Sequence, residues 1–195
     1  MGPNRQKCYY SSLRSMRADA ARNLDAILQT GARLLAADSS TSIAAIAAGA
    51  GVSRRLVHRR FASREALRDA VFQTKLDAID AVLADARLDT APVAVALHRF
   101  VEGIIAVVHR YPIDPDLMRD DAQSYARMLD QRAQVAAFMR RAMDEGLIRS
   151  DLPEGMAQAQ LHQIIALLAQ QFPDHDPALA ADIAVNTLLR GTGRS

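Results

Sequence analysis

The chain has 195 residues, half of them hydrophobic, with a single cysteine and a formal net charge of +2. That length suits one compact unit with room for a small second domain. Cys8 standing alone excludes an intramolecular disulfide framework, and no apolar run approaches the roughly 20 residues of a membrane span.

The N-terminus lacks a signal-peptide apolar core, so the expectation is a soluble, cytoplasmic protein without a membrane partner. The small net charge hides a split. Residues 1–75 hold 13 Lys/Arg against 5 Asp/Glu, a surplus of +8, whereas residues 76–195 hold 11 against 17, a balance of −6. The front half is built to meet a polyanion and the back half is not. Alanine and leucine dominate without any sustained β-branched alternation, which predicts an all-α fold.

In chain order, residues 1–16 carry polar residues without a period and read as a flexible basic arm. From Leu24 the apolar residues Ile27, Leu28, Gly31, Leu34 and Leu35 form a helical stripe. The polar string Asp38–Ser42 ends it and supplies hydroxyl caps for a second helix with Ile43, Ile46, Ala47 and Ala50 on its apolar face. Gly51 stops that helix, Ser53 caps a third, and Phe61 closes it. Ser63 caps a fourth, with Glu65 in its first turn, where the helix dipole favours a carboxylate. Phe72, Leu76, Ile79 and Leu83 carry the fourth stripe past residue 80.

Beyond Pro92 the residues Leu97, Phe100, Val101, Ile104, Ile105 and Val108 cover so wide an arc that their helix should be buried on most sides. Asp114-Pro115 and Asp176-Pro177 each read as an N-cap with proline at the first helical position. Between them, Val135, Phe138, Met139, Ala142 and Met143 mark a helix that Gly146 ends. Two more helices follow, at about 154–172 and 177–190, for about nine in all.

Residues 42–61 hold two short helices joined by a tight glycine turn, the helix-turn-helix arrangement whose second helix enters the major groove. That helix leaves Arg54, Arg55, His58 and Arg59 outward. The run Thr41-Ser42-Ile43, Ile46-Ala47, Ala50-Gly51-Val52-Ser53, Phe61, Ser63-Arg64-Glu65 and Leu67 resembles the DNA-binding domain of TetR-type (tetracycline-repressor-like) transcriptional regulators. Arg17 to Asn23, the Ile27-Leu28 helix and the distal Glu145–Pro153 stretch are also similar to that family. The specific likeness covers residues 17–72, and the remainder agrees only in helix pattern.

The resemblance implies an all-α protein with a three-helix DNA-reading head over residues 17–75. A helical body over 76–195 would bind a small molecule and pair with a second copy through the last two helices. It implies a sequence-specific repressor that a hydrophobic or amphipathic effector releases from a near-palindromic operator. The DNA-contacting positions it implies are Arg17, Arg22, Thr41, Ser42, Ser53, Arg54, Arg55, Leu56, His58, Arg59 and Arg64. Three departures bear on the operator sequence: Arg55-Leu56 where the family has glycine and a small residue, His58 where it has tyrosine, and a short loop before Thr41 without its usual glycine.

In the body, Phe100, Tyr125, Met128 and Met139 read either as pocket lining or as plain core, and His162 as a ligand group or an exposed residue. The sequence has no HExxH, no Cys/His metal spacing, no GxSxG and no phosphate-gripping glycine loop, so no catalytic residue, metal or cofactor is expected. The competing functional reading is a helical small-molecule-binding dimer whose DNA-binding head has degenerated.

Overall fold

A computed structural model describes residues 3–113 and 121–192, with side chains from Met16 onward save Arg17 and Thr192. The Cys8, Arg14 and Arg17 side chains and the Asp114-Pro115 cap lie outside what is described. Eight helices and no strand occur among the described residues. The chain divides into two compact units, residues 1–71 and 72–195, a boundary four residues earlier than the sequence pattern places it.

The first unit begins with α1, Pro3–Ala37. The expected arm over residues 1–16 differs, because the helical backbone already runs from Pro3. No apolar period announces this stretch, yet proline suits a first helical position and no helix breaker follows it for many residues. Ile27, Leu28, Ala32 and Leu35 turn the predicted stripe into a buried face. Helix α2 spans Ile43–Gly49, α3 spans Arg54–Arg60, and α4 starts at Arg64 and runs to Ala86. Ile46, Val57, Leu67 and Val71 are fully enclosed in this small core.

Two glycines let its helices approach closely. A Cβ on Gly49 would stand 2.9 Å from Thr30 Cγ2, and one on Gly31 would stand 3.2 Å from Val71 Cγ2. Ala47, buried beside them, leaves the same kind of room.

The second unit holds the rest of α4 with α5 (Val93–Arg110), α6 (Ala122–Asp144), α7 (Met156–Gln171) and α8 (Pro177–Thr192). Its core runs from Leu83 through Leu97, Phe100, Val101 and Ile105 of α5 to Phe138 and Met139 of α6, then Leu161 of α7 and Leu188 of α8. The wide apolar arc of α5 therefore finds neighbours on several sides, and against α7 and α8 it forms the centre of the body.

Local chemistry fixes the ends of these elements. Asp176 Oδ1 accepts the Ala178 N–H at 2.9 Å, and Pro177 opens α8 as expected. Gly146, at φ +78°, adopts the left-handed conformation that ends α6, with Leu147 N–H returning to the Ala142 carbonyl at 2.9 Å.

Polar side chains join distant parts of the body. Arg127 on α6 donates to Asp80 at 3.0 Å and to Asp77 at 2.6 Å, and Gln131 donates to the Leu76 carbonyl at 3.0 Å. The buried Lys75 ammonium reaches the Ile113 carbonyl at 2.5 Å. Burial opposes the charge of Asp80, but hydrogen bonds from Gln131 and Arg127 outweigh it and hold its pKa below the ordinary carboxylate value.

Candidate nucleic-acid interface

The turn between α2 and α3 is built from short-range bonds. Ser42 caps α2 by accepting the Ala45 N–H at 3.2 Å, and Ser53 caps α3 by accepting the Leu56 N–H at 3.2 Å. Gly51 sits at φ +66°, a region that side-chain-bearing residues rarely adopt, and Val52 N–H returns to the Ala47 carbonyl at 3.0 Å. These bonds set α3 down on Val57, which is fully buried, while Leu56 is half-buried beside it.

All the remaining side chains of α3 are exposed: Arg54, Arg55, His58, Arg59 and Arg60. Arg54 Nε donates to His58 Nε2 at 3.2 Å, one helical turn away. Five basic side chains thus share a seven-residue helix with no acidic partner in its first turn. Such a surface is suited to a phosphate backbone, with arginines able to reach base edges. Arg60 is exposed at the end of α3, but at 100° per residue it falls between Leu56 and Val57 rather than beside Arg54, Arg55, His58 and Arg59.

The other implied contact residues divide. Arg22 is exposed and pairs with Asp19. The Thr41 hydroxyl donates to the Leu34 carbonyl at 3.2 Å, so it helps hold the entry to α2. Arg64 donates to the Ser39 carbonyl at 2.8 Å and approaches Glu65 at 3.4 Å. The short loop it grips closes on Asp38, whose Oδ1 accepts from Ser40 N–H at 2.8 Å and Ser40 Oγ at 2.7 Å. The Ser40 side-chain and backbone hydrogen bonds, with Arg64 nearby, hold the Asp38 carboxyl below its usual range. Asp and Ser side chains hold a turn of this kind by bonding the nearby backbone. The sequence pattern places Asp38 only in a polar string; its spacing of two from Ser40 is the signal for the turn.

In the body, the five candidate pocket residues differ in burial. Phe100 and Met139 lie in the core cluster, Met128 is buried, Tyr125 is half-buried, and His162 is exposed on α7. An open groove of about 870 Å³ lies instead between α4 and α6, with Asp80, Arg87, Arg127, Asp130 and Arg141 over Leu83 and Phe138. It contains none of the five. No group of three or more His, Cys, Asp or Glu suited to a metal occurs among the described residues, and no helix is long and apolar enough to cross a membrane.

A three-helix unit bearing a capped helix-turn-helix and a basic second helix, followed by a helical body, defines a helix-turn-helix domain joined to a second helical unit. Residues 27–71 match the family model described as bacterial regulatory proteins, tetR family. The whole fold is similar to LfrR of Mycobacterium smegmatis, solved in complex with proflavine, at 23% identity and TM-score 0.68, over 90% of this chain and 98% of that one. It is also similar to the ketosteroid transcriptional regulator KstR2 of Mycobacterium tuberculosis (18% identity, TM-score 0.73, 87% and 94% covered). PfmR of Thermus thermophilus gives 22% identity and TM-score 0.66 over 86% and 99%. No curated protein matches the sequence. The chain thus carries a tetR-family DNA-binding domain within a TetR-like transcriptional-regulator fold.

Proposed function

We propose that this protein is a repressor that binds a near-palindromic operator as a twofold homodimer and leaves it when a small molecule occupies the body. The observation that carries the DNA reading is α3: a buried Val57 beneath a solvent face made of Arg54, Arg55, His58 and Arg59. Its supporting core is intact, which argues against a degenerate head; Ile46, Val57 and Leu67 have no exposed surface. Arg54, Arg55 and Arg59 project from α3 and are assigned to DNA, with Arg17, Arg22 and Arg64 on the flanking backbone.

The dimer reading rests on where apolar surface remains. Met156, Leu167 and Phe172 on and just after α7, with Leu179 and Ile183 on α8, are each 38–55% exposed. So many large apolar side chains on two adjoining helices mark an interface. Twofold symmetry then matches half-sites about one turn of DNA apart, roughly 34–36 Å.

The effector we assign is a hydrophobic or amphipathic small molecule. It would enter where Phe100, Met128 and Met139 pack, methionine being the side chain that repacks most readily. The proflavine bound to LfrR is a ligand of that class. Selection of bound fragments from random DNA, followed by screening small molecules for release of the selected fragment, tests this reading. Failure to enrich any sequence over bulk DNA would overturn it.

A further inference from the structure

The outer face of α8 carries two rows of exposed residues. Leu179, Ile183, Thr187 and Gly191 follow one another at intervals of four, and Asp182, Asn186 and Arg190 run beside them. At 100° per residue the rows lie about 80° apart. Along the first row, bulk declines from leucine and isoleucine to threonine and glycine. At the small end Thr187 and Gly191 join Met156, Gln160 and Gln163 of α7 around a hollow of about 410 Å³. A Cβ on Gly191 would meet no atom within 4 Å.

We propose that a second copy of this chain lays its α8 antiparallel on this one about a twofold axis level with Val185, so that Leu179 of each copy fills the Thr187–Gly191 hollow of the other. This rests on the dimer reading above and fixes its register. A twofold axis at that level sets Leu179 opposite Gly191 and Ile183 opposite Thr187, so bulk meets space in both directions. Moving the axis to Ile183 sets that residue against its own copy, pairs Leu179 with Thr187, and leaves the hollow at Gly191 unfilled.

Charge selects the same register. The second row meets itself inverted, which brings Asp182 to within about 3 Å, along the helix axis, of the level of Arg190 on the other copy. Asn186 meets Asn186 at the centre. Asp182 already accepts from His98 Nε2 at 2.8 Å, and a carboxylate has lone pairs for a further donor. The inferred partner is therefore a second copy, complementary in both volume and charge.

Sedimentation equilibrium of the full chain tests the register with size and charge variants. Gly191→Leu should raise the dimer Kd about 10–100-fold with unchanged helicity, because the added side chain stands in open space in one copy and in the path of Leu179 from the other. Adding Leu179→Ala should restore most of the affinity. Independently of volume, Arg190→Asp should weaken dimerisation about 3–10-fold, and Asp182→Arg with Arg190→Asp should recover it. A monomeric wild type at micromolar concentration would overturn the dimer reading itself. A dimeric wild type whose Kd neither Gly191→Leu nor Arg190→Asp moves overturns the register alone, as does a pair of double variants no tighter than their singles.

Discussion

The basic head and the helical body are held together by different kinds of bond. In the head, Ser42, Ser53 and Ser63 each cap a helix by accepting an N–H three residues on, and Arg64 to Ser39 reaches farther along the chain. In the body, polar side chains reach across the sequence to backbone carbonyls: Lys75 to Ile113, Gln131 to Leu76, and Arg141 to Leu88 and Ala91 at 2.8 Å each. The head directs its charge outward on α3, whereas the body turns much of its charge inward on its own structure. Local capping is settled by neighbours a few residues apart, whereas the body's polar bonds form only once distant segments have come together.

The sharpest way to break this comparison is salt. If the charge of the head is free for DNA, engagement of about 6–10 phosphates should cost roughly 10³–10⁵-fold in affinity between 50 and 200 mM salt. Fluorescence polarisation on a selected operator measures it. A nearly flat response would mean that the arginine face is not the contact surface.

Within that face, Arg55 is exposed and stands second in α3. Its removal should cost about 1–3 kcal/mol on the preferred operator and relax the choice at one base position. Repeating the operator selection with Arg55→Ala checks this. Unchanged base preferences would assign Arg55 to phosphate.

What could be read from the sequence follows the same division. The caps at Ser42, Ser53, Ser63 and Asp176, the turn at Gly51 and the stop at Gly146 lie within a few residues of what they satisfy, so spacing alone places them. The basic face of α3 was legible because Val57 and Phe61 fix which side is inward. The helical backbone from Pro3 was not, since it has no amphipathic period. Nor were Gly49 and Gly103, whose function is to let another helix approach. The body's polar clasp was equally hidden, and whether Met139 lines a cavity or closes one depends on neighbours brought together only by folding.

Gly103 offers a test of how tightly the body is packed. A Cβ there would stand 2.6 Å from Val82 Cγ1 and 2.8 Å from Cγ2, and a β-branched helical residue has little rotamer freedom to withdraw. Overpacking costs about 1–3 kcal/mol, against roughly 1 kcal/mol gained by alanine over glycine in a helix. Gly103→Ala should therefore lose up to about 2 kcal/mol net, and thermal melting should fall by about 2–6 °C. A rise in Tm would show that α4 and α5 have slack.

The clasp on α6 should be worth less. Arg127→Ala removes donors to Asp77 and Asp80 and should cost about 1 kcal/mol at neutral pH, discounted for the solvent that reaches both carboxylates. The folded pKa of Asp80 lies below its ordinary 3.8. The unfolded chain therefore takes up the proton first as pH falls. The clasp's contribution is complete above that ordinary value and declines as pH drops through it towards the folded pKa. Paired melting curves of wild type and Arg127→Ala should thus converge below about pH 4. A gap that widens in acid contradicts the assignment.

The smallest expected effect separates two uses of one side chain. Arg64 is bonded to the Ser39 carbonyl at 2.8 Å, yet its side chain remains 39% exposed, so the same guanidinium has donors left for a phosphate. Arg64→Ala should weaken every DNA sequence alike, lower the salt slope by about one, and leave the selected operator unchanged. Asp38→Ala is the control, since it opens the turn through Ser40 and removes a carboxylate without removing the arginine. If Arg64 contacts DNA directly, Asp38→Ala should leave the salt slope where it was and cost at most about 0.5–1.5 kcal/mol from the loosened loop. Should both variants weaken binding equally with the slope unmoved in each, Arg64 acts only by holding the loop, and the phosphate contact belongs to its neighbours on α3.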